Sequence, residues 1–245
     1  QWHLVNSGQQ VGNPDFQAIY GVAGEDLNVA PVWNMGYTGA GVTVAVIDSG
    51  FQLDHPDLAA NVSSTLGLDA LNVDGDGSPR PDLFEAVWHG TAVAGIIGAV
   101  ANNGIGGAGI APGVTLVPIR LIDPTAPVLT TRDPFVEAFR YAIQDIDITN
   151  NSWGPGTSRA LAGLSQQELL ALRDSIIFGR NGLGVIHVFS SGNSAGPQFN
   201  NGFSNIGDWD SSIYSGWQNS RYTITVTGVD HDGQYSNVDG TVTDY

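Results

Sequence analysis

Three polar side chains close or open apolar runs at positions where chemistry can be done. Asp48 ends Val44-Ala45-Val46-Ile47, His89 opens a run of small and apolar residues 41 positions later, and Asn193 follows Val185-Ile186-His187-Val188-Phe189-Ser190-Ser191-Gly192. A carboxylate holding one imidazole nitrogen leaves the other to take a proton from a nucleophile, and it stabilises the imidazolium that forms. A side-chain amide beside them can donate its N–H to an oxyanion. Taken singly, each residue has a plainer reading: Asp48-Ser49-Gly50 as a strand-end turn, His89 as a histidine at a helix start, and Ser191-Gly192-Asn193 as a turn in which Asn tolerates an unusual backbone.

The elements between them decide whether they meet. Residues 42–47 are apolar on both faces apart from Thr43, the pattern of a central parallel strand covered by helices. Residues 114–119, 146–150 and 185–190 read as further buried strands, and residues 222–227 alternate. His89-Gly90-Thr91 opens a helix over residues 92–100, whose Ala94, Gly95 and Gly98 are small enough to lie against a sheet. Asp26 precedes Leu27, Val29, Ala30 and Trp33 as the acidic starter of a short helix. Asp133-Pro134 reads as cap and first helical position, with Phe135, Ala138, Phe139, Ala142 and Ile143 on one stripe. Ser165-Gln166-Gln167-Glu168 is a capping box leading into Leu169, Leu172 and Ile176. Strands alternating with helices predict an α/β three-layer sandwich with a mostly parallel central sheet and right-handed crossovers. Ligands bind such folds beyond the carboxyl ends of the strands, where Asp48, Asn151-Ser152-Trp153-Gly154 and Asn193 lie.

Composition narrows the class. At 245 residues and 42% apolar the chain can bury one full core, and a single domain over 1–245 is expected. Eight Lys and Arg against 24 Asp and Glu give a net charge of -16, which repels phosphate backbones and anionic lipid but suits hard cations. Neither nucleic acid nor membrane is expected as a partner. Cysteine is absent, so disulfides are excluded and thiols say nothing about redox compartment. No apolar run reaches 18 residues, and residues 1–20 lack the basic start and apolar middle of a signal peptide, so an exported chain would already be processed.

In order along the chain stand Val46-Ile47-Asp48-Ser49-Gly50, His55-Pro56-Asp57-Leu58, His89-Gly90-Thr91-Ala92-Val93-Ala94-Gly95, Ala101-Asn102-Asn103-Gly104-Ile105-Gly106-Gly107, Asn151-Ser152-Trp153-Gly154-Pro155 and Ser191-Gly192-Asn193. Together they resemble the subtilisin-like serine peptidases, and within them the bacterial relatives of the kexin and proprotein convertase branch. The resemblance implies a subtilisin-like fold and a secreted or periplasmic enzyme acting on peptide or protein substrates. It makes Asp48 the triad aspartate, His89 the general base and Asn193 the oxyanion-hole amide. It makes Ser152-Trp153-Gly154 the strand that pairs with substrate backbone and walls the primary specificity pocket.

The family's nucleophilic serine, in a Gly-Thr-Ser-x-Ala or similar turn opening a second central helix, has no counterpart in residues 194–245. Ser220 and Ser236 lack both the approach and the helix that follows it, and no Gly-x-Ser-x-Gly elbow occurs. The domain therefore reads as truncated before the serine helix. Loss of an oxyanion donor costs such enzymes about 2.7 to 4 kcal/mol, whereas loss of the serine or histidine costs on the order of a million in rate, so the chain alone is expected to be inert. The serine is expected on a separate or missing C-terminal fragment, which would cover apolar surface left on the 184–190 strand and the 92–100 helix. The alternative is an inactive pseudo-peptidase or a module gripping extended peptides along residues 151–154 by strand addition.

Structural calcium is the cofactor the resemblance implies. Asp57 and Asn103, with carbonyls of Val100, Ile105 and Gly107, match the family's strong calcium loop, and Asp69, Asp74 and Asp76 match a second position in convertases. Convertases also prefer paired basic residues in their substrates. Here Ser49 replaces the second aspartate of their Asp-Asp-Gly, and Gly156-Thr157 stands where they carry acidic residues; Asp208 or Asp210 could restore one charge.

Overall fold

The computed structural model describes residues 1–11, 18–72, 75–79, 88–123, 132–154, 161–192, 199–200, 203–204, 215–234, 237–238 and 241–242. In chain order they form α1 (Ala30–Asn34), β1 (Thr43–Asp48), β2 (Leu68–Asp69), α2 (His89–Gly98), β3 (Thr115–Arg120), α3 (Pro134–Arg140), β4 (Ile148–Asn151), α4 (Gln166–Phe178), β5 (Ile186–Ser190), β6 (Phe199–Asn200), β7 (Phe203–Ser204), β8 (Thr223–Val226), β9 (Asn237–Val238) and β10 (Thr241–Val242). Six strands make one sheet in the order β2-β3-β1-β4-β5-β8, and every pairing in it is parallel. The antiparallel pairs β6–β7 and β9–β10 stand apart from it.

Buried parallel strands are apolar on both sides because both sides are covered. Val44 and Val46 of β1 pack with Ala94 of α2, Val114 and Leu116 on one face. Ala45 and Ile47 face the other layer, with Val136, Ala138 and Phe139 of α3 and Ala171 and Leu172 of α4. Gly98 lets α2 approach closely: a Cβ there would lie 2.7 Å from Val114 Cγ1. Gly95 does not share this role, since a Cβ there would meet nothing within 4 Å.

Helix boundaries follow local chemistry where caps exist. Asp133 accepts N–H bonds from Phe135 and Val136, and the capping box at Ser165 and Glu168 is formed in both directions. Elsewhere distant partners override local signals. Asp26 does not cap α1; its carboxylate takes the backbone N–H groups of Asn6 and Asn28, and α1 begins at Ala30. The stripe from Phe135 ends with α3 at Arg140: Tyr141 turns extended, its hydroxyl accepts from the Gly67 N–H, and Ala142 follows at φ 44°. Of the residues the capping box leads into, Leu172 is buried with Ala171 and Ser175, and Leu169 is exposed.

Among the described residues, one sheet face is only partly covered. His187 and Phe189 of β5 point to the α3 and α4 layer, so Ile186 and Val188 face the α2 side, where Val188 is in register with Ile224 of β8 and Ser190 with Val226. Ile224 is 54% and Val226 51% exposed, and among the described residues no helix lies over them.

Candidate active site

Asp48 is the last residue of β1 and His89 the first of α2. His89 Nδ1 lies 2.8 Å from Asp48 Oδ1 and 2.9 Å from Oδ2, while the Ser49 N–H donates to Oδ1 at 2.7 Å. The carboxylate is buried, at 1% exposure, and the imidazole side chain is 55% exposed. That arrangement fixes one edge of the ring and leaves the ring accessible. The hydrogen bond that His89 Nδ1–H donates to Asp48 raises the His89 pKa above 6.5, partial burial opposes it, and the carboxylate's negative charge adds to the rise.

Backbone contacts set this geometry. Gly90 N–H donates to Ser49 Oγ at 3.1 Å, and the Gln52 N–H donates to Thr91 Oγ1 at 3.0 Å, joining the first turn of α2 to the turn after Asp48. Gly50 sits at φ 79°, and a Cβ there would lie 2.4 Å from the carbonyl oxygen of Gly77. Glycine is required on both counts. Ser49, in the place of an acidic residue, serves here as an acceptor for the helix.

Ser152-Trp153-Gly154 leaves the carboxyl end of β4 beside Asp48, anchored on both sides. Trp153 Nε1 donates to Ile47 O at 2.9 Å, and its ring packs with Phe135, Phe139, Phe189 and Trp217. Gln218, buried in the turn before β8, donates Nε2 to Trp153 O at 3.2 Å and to Ser190 O at 3.3 Å, and Ser215 Oγ donates to its Oε1. A Cβ on Gly154 would lie 2.9 Å from that same nitrogen. Gln218 is the residue sequence reasoning missed: a single amide in a loop carries no periodicity and belongs to no motif. Among the described residues, the side chains touching Trp153 and Gly154 are neutral. Asn193 lies outside the described residues, as do Gly156, Thr157, Asp208 and Asp210. The turn approaching Asn193 is described as far as Gly192, at φ 109°.

Asp57, Asn103 and Gly107, three of the residues expected to hold a first calcium, lie together. Asp57 Oδ1 accepts from Asn103 Nδ2 at 2.7 Å, Oδ2 accepts from the Gly107 N–H at 3.0 Å, and the Val100 N–H donates to Asp57 O. A Cβ on Gly106 would lie 2.1 Å from Asp57 Oδ2, so the loop wraps the carboxylate as closely as glycine allows. The Ile105 N–H is taken by Asn103 Oδ1. Asp57 is buried, yet no basic side chain pairs with it among the described residues. The second group differs. Asp69 is paired with the buried Arg120, and its oxygens also accept from the Leu71 N–H and Asn72 Nδ2. Asp76 is exposed and turns its carboxylate to the Ser78 N–H, and Asp74 lies outside the described residues. A guanidinium thus holds the place at Asp69 that the resemblance gives to a cation.

Known proteins are similar to this chain in sequence and fold. The subtilase family model matches residues 39–243. Neuroendocrine convertase 2 of Homo sapiens is 35% identical over 239 residues, covering 96% of this chain and 33% of that protein. Proprotein convertase subtilisin/kexin type 7 of Homo sapiens is 36% identical over 235 residues, covering 96% of this chain and 26% of that protein. Among solved structures, the serine protease of Aeromonas sobria superposes with a TM-score of 0.73 at 29% identity, covering 95% of this chain and 39% of that one. The chain therefore spans about a third of the length of the curated relatives it matches. With the sheet order, the Asp48–His89 pair and a family match over most of its length, the chain belongs to the subtilase family.

Proposed function

We propose that residues 1–245 supply the aspartate and histidine of a serine endopeptidase whose nucleophilic serine lies on a segment outside them. The observation that carries this is the two-oxygen contact of buried Asp48 with the accessible His89 ring at the carboxyl edge of the sheet. In the reaction, His89 Nε2 takes the serine proton as the serine oxygen bonds to the peptide carbonyl carbon. Asp48 stabilises the imidazolium through Nδ1, and the Asn193 amide donates to the oxyanion. His89 then returns the proton to the leaving amine as the C–N bond breaks, and water repeats the sequence on the acyl-enzyme. Substrate backbone adds as a strand along Ser152-Trp153-Gly154, which Ile47 O and Gln218 hold in place.

The apolar face of Ile186, Val188, Ile224 and Val226 supports a serine-bearing segment as the partner, since covering it beside the carboxyl edge brings new groups next to His89. A fluorophosphonate probe applied to the full-length natural polypeptide tests this. Labelling of a serine outside residues 1–245, with hydrolysis of peptide amides, is expected; binding of extended peptides without labelling or turnover would favour a silent peptide-binding module.

Calcium is the cation we propose for the Asp57 loop, supported by a buried carboxylate that has no cationic partner among the described residues and is wrapped by Asn103 and Gly107. Bound there it would supply positive charge and stiffen the loop, with no part in proton transfer. A secreted or periplasmic location accompanies the peptidase reading and is checked by fractionation of the source cells.

A further inference from the structure

His187 is 1% exposed on β5, two strands from β1, and it takes no part in the reaction above. Its hydrogen bonds have one direction throughout. Ser175 donates its hydroxyl proton to Leu172 O at 2.7 Å, so toward His187 Nε2, also at 2.7 Å, the same oxygen can only accept. Nε2 therefore carries the ring proton and Nδ1 is bare, which makes the Thr149 hydroxyl, 2.8 Å away, a donor to it. Thr149 Oγ1 in turn accepts from Asn151 Nδ2 at 2.9 Å, and the same amide nitrogen donates to Val188 O at 3.0 Å. The polarity runs unbroken from Asn151 on β4 to Leu172 on α4.

Apolar side chains of similar size would fill this space without any need for matched donors and acceptors, and a buried polar group that loses its partner is costly. What the network adds is direction: it decides which way the Asn151 amide faces. Asn151 is the last residue of β4, and Ser152-Trp153-Gly154 follows it directly. Trp153 ties that segment to β1 through Ile47, whereas Asn151 ties its start to β5 through Val188.

We propose that His187 is a positioning residue for the substrate strand: through Thr149 it orients the Asn151 amide, which holds the start of Ser152-Trp153-Gly154 against Val188. The kinetic part of this proposal rests on the peptidase reading; the positioning part does not. In the full-length natural polypeptide, Thr149→Val removes the link between His187 and Asn151 at nearly constant volume, and Thr149→Ser keeps it. T149V is expected to raise KM and lower kcat/KM for an extended peptide amide about tenfold, as small misplacements of positioning groups do. T149S and wild type should match. Amide hydrogen exchange at Ser152, Trp153 and Gly154 is expected to quicken in T149V and not in T149S. Should T149V fail to fold, Asn151→Ala, which removes the end of the relay, is expected to give the same kinetic and exchange changes. A variant that melts at lower temperature but keeps wild-type kinetics and exchange overturns the proposal, because the relay would then be packing alone. Exchange that responds to T149V in a protein without any turnover would instead remove the peptidase reading and leave the positioning role standing.

Discussion

A Cβ on Gly90 would lie 2.1 Å from the carbonyl oxygen of Gly50. The first turn of α2 thus rests on the backbone of the turn after Asp48, and rigid main chain sets the separation of carboxylate and imidazole. Gly90→Ala must move one of the two. In the full-length polypeptide kcat/KM is expected to fall about 100-fold, the scale of a 1 Å misplacement, with stability lowered by about 1–3 kcal/mol from overpacking. Steady-state kinetics and thermal melting check this; an alanine variant with wild-type kcat/KM would show that the contact does not set the pair.

His89 must be neutral to accept a proton, so the rate should rise with pH through its pKa, which Asp48 holds above 6.5. Asp48→Asn removes the charge and the acceptor that raise it. The rising limb of the pH–rate profile is expected to move to lower pH while kcat drops about 10⁴-fold, the size seen for the same change in other triads. A limb that stays in place in D48N belongs to another group.

His187 and His89 tilt stability in opposite directions. Burial lowers the His187 pKa from 6.5 to about 4, so between those values the unfolded chain binds more protons and stability rises with pH. Its contribution is complete above pH 6.5 and lost on acidification toward pH 4, about 3 kcal/mol by the linkage relation. His89 does the reverse: its raised pKa stabilises the fold below pH 6.5, and that contribution is lost as pH rises through the folded value. Urea unfolding from pH 7 to 4 should show a steep loss in wild type and a shallower one in His187→Phe. Equal slopes would place His187 outside the acid response.

Arg120 lies between Asp69 and Asp123, with Asp123 Oδ2 at 2.7 Å, and its backbone pairs with Asp48 across β1 and β3. Arg120→Met leaves two buried carboxylates facing an apolar side chain, a change expected to cost about 3–5 kcal/mol. Denaturant titration checks it; a loss under about 1 kcal/mol would mean that solvent reaches the pair.

Millimolar calcium is expected to raise the melting temperature of the full-length polypeptide, and Asp57→Asn to abolish the rise. A response that survives D57N would move the ion elsewhere.

Much of the framework was legible because buried parallel strands write themselves as apolar runs, and Asp48 and His89 each stand where such a run or its helix begins or ends. The caps at Asp133 and Ser165 were legible for a related reason: their partners are within three residues. What stayed hidden depends on partners far away in sequence. Asp26 turns to Asn6, Tyr141 to Gly67, Asp69 to Arg120, and Gln218 to both Trp153 and Ser190. Nor does periodicity separate Gly98, which the sheet needs, from Gly95, which it does not.

The strand order also implies a sequence of assembly. β1 is synthesised first and becomes the interior of the sheet, and β4, β5 and β8 then join one flank in the order in which they are made. On the other flank β2 must wait for β3, which alone connects it to β1. A chain emerging from the ribosome can therefore grow its sheet outward from a nucleus already in place, shortening the search that makes parallel sheets slow to fold. The Asp48–His89 pair, built on the first strand and the helix beside it, belongs to the portion made before the strands that carry the substrate wall.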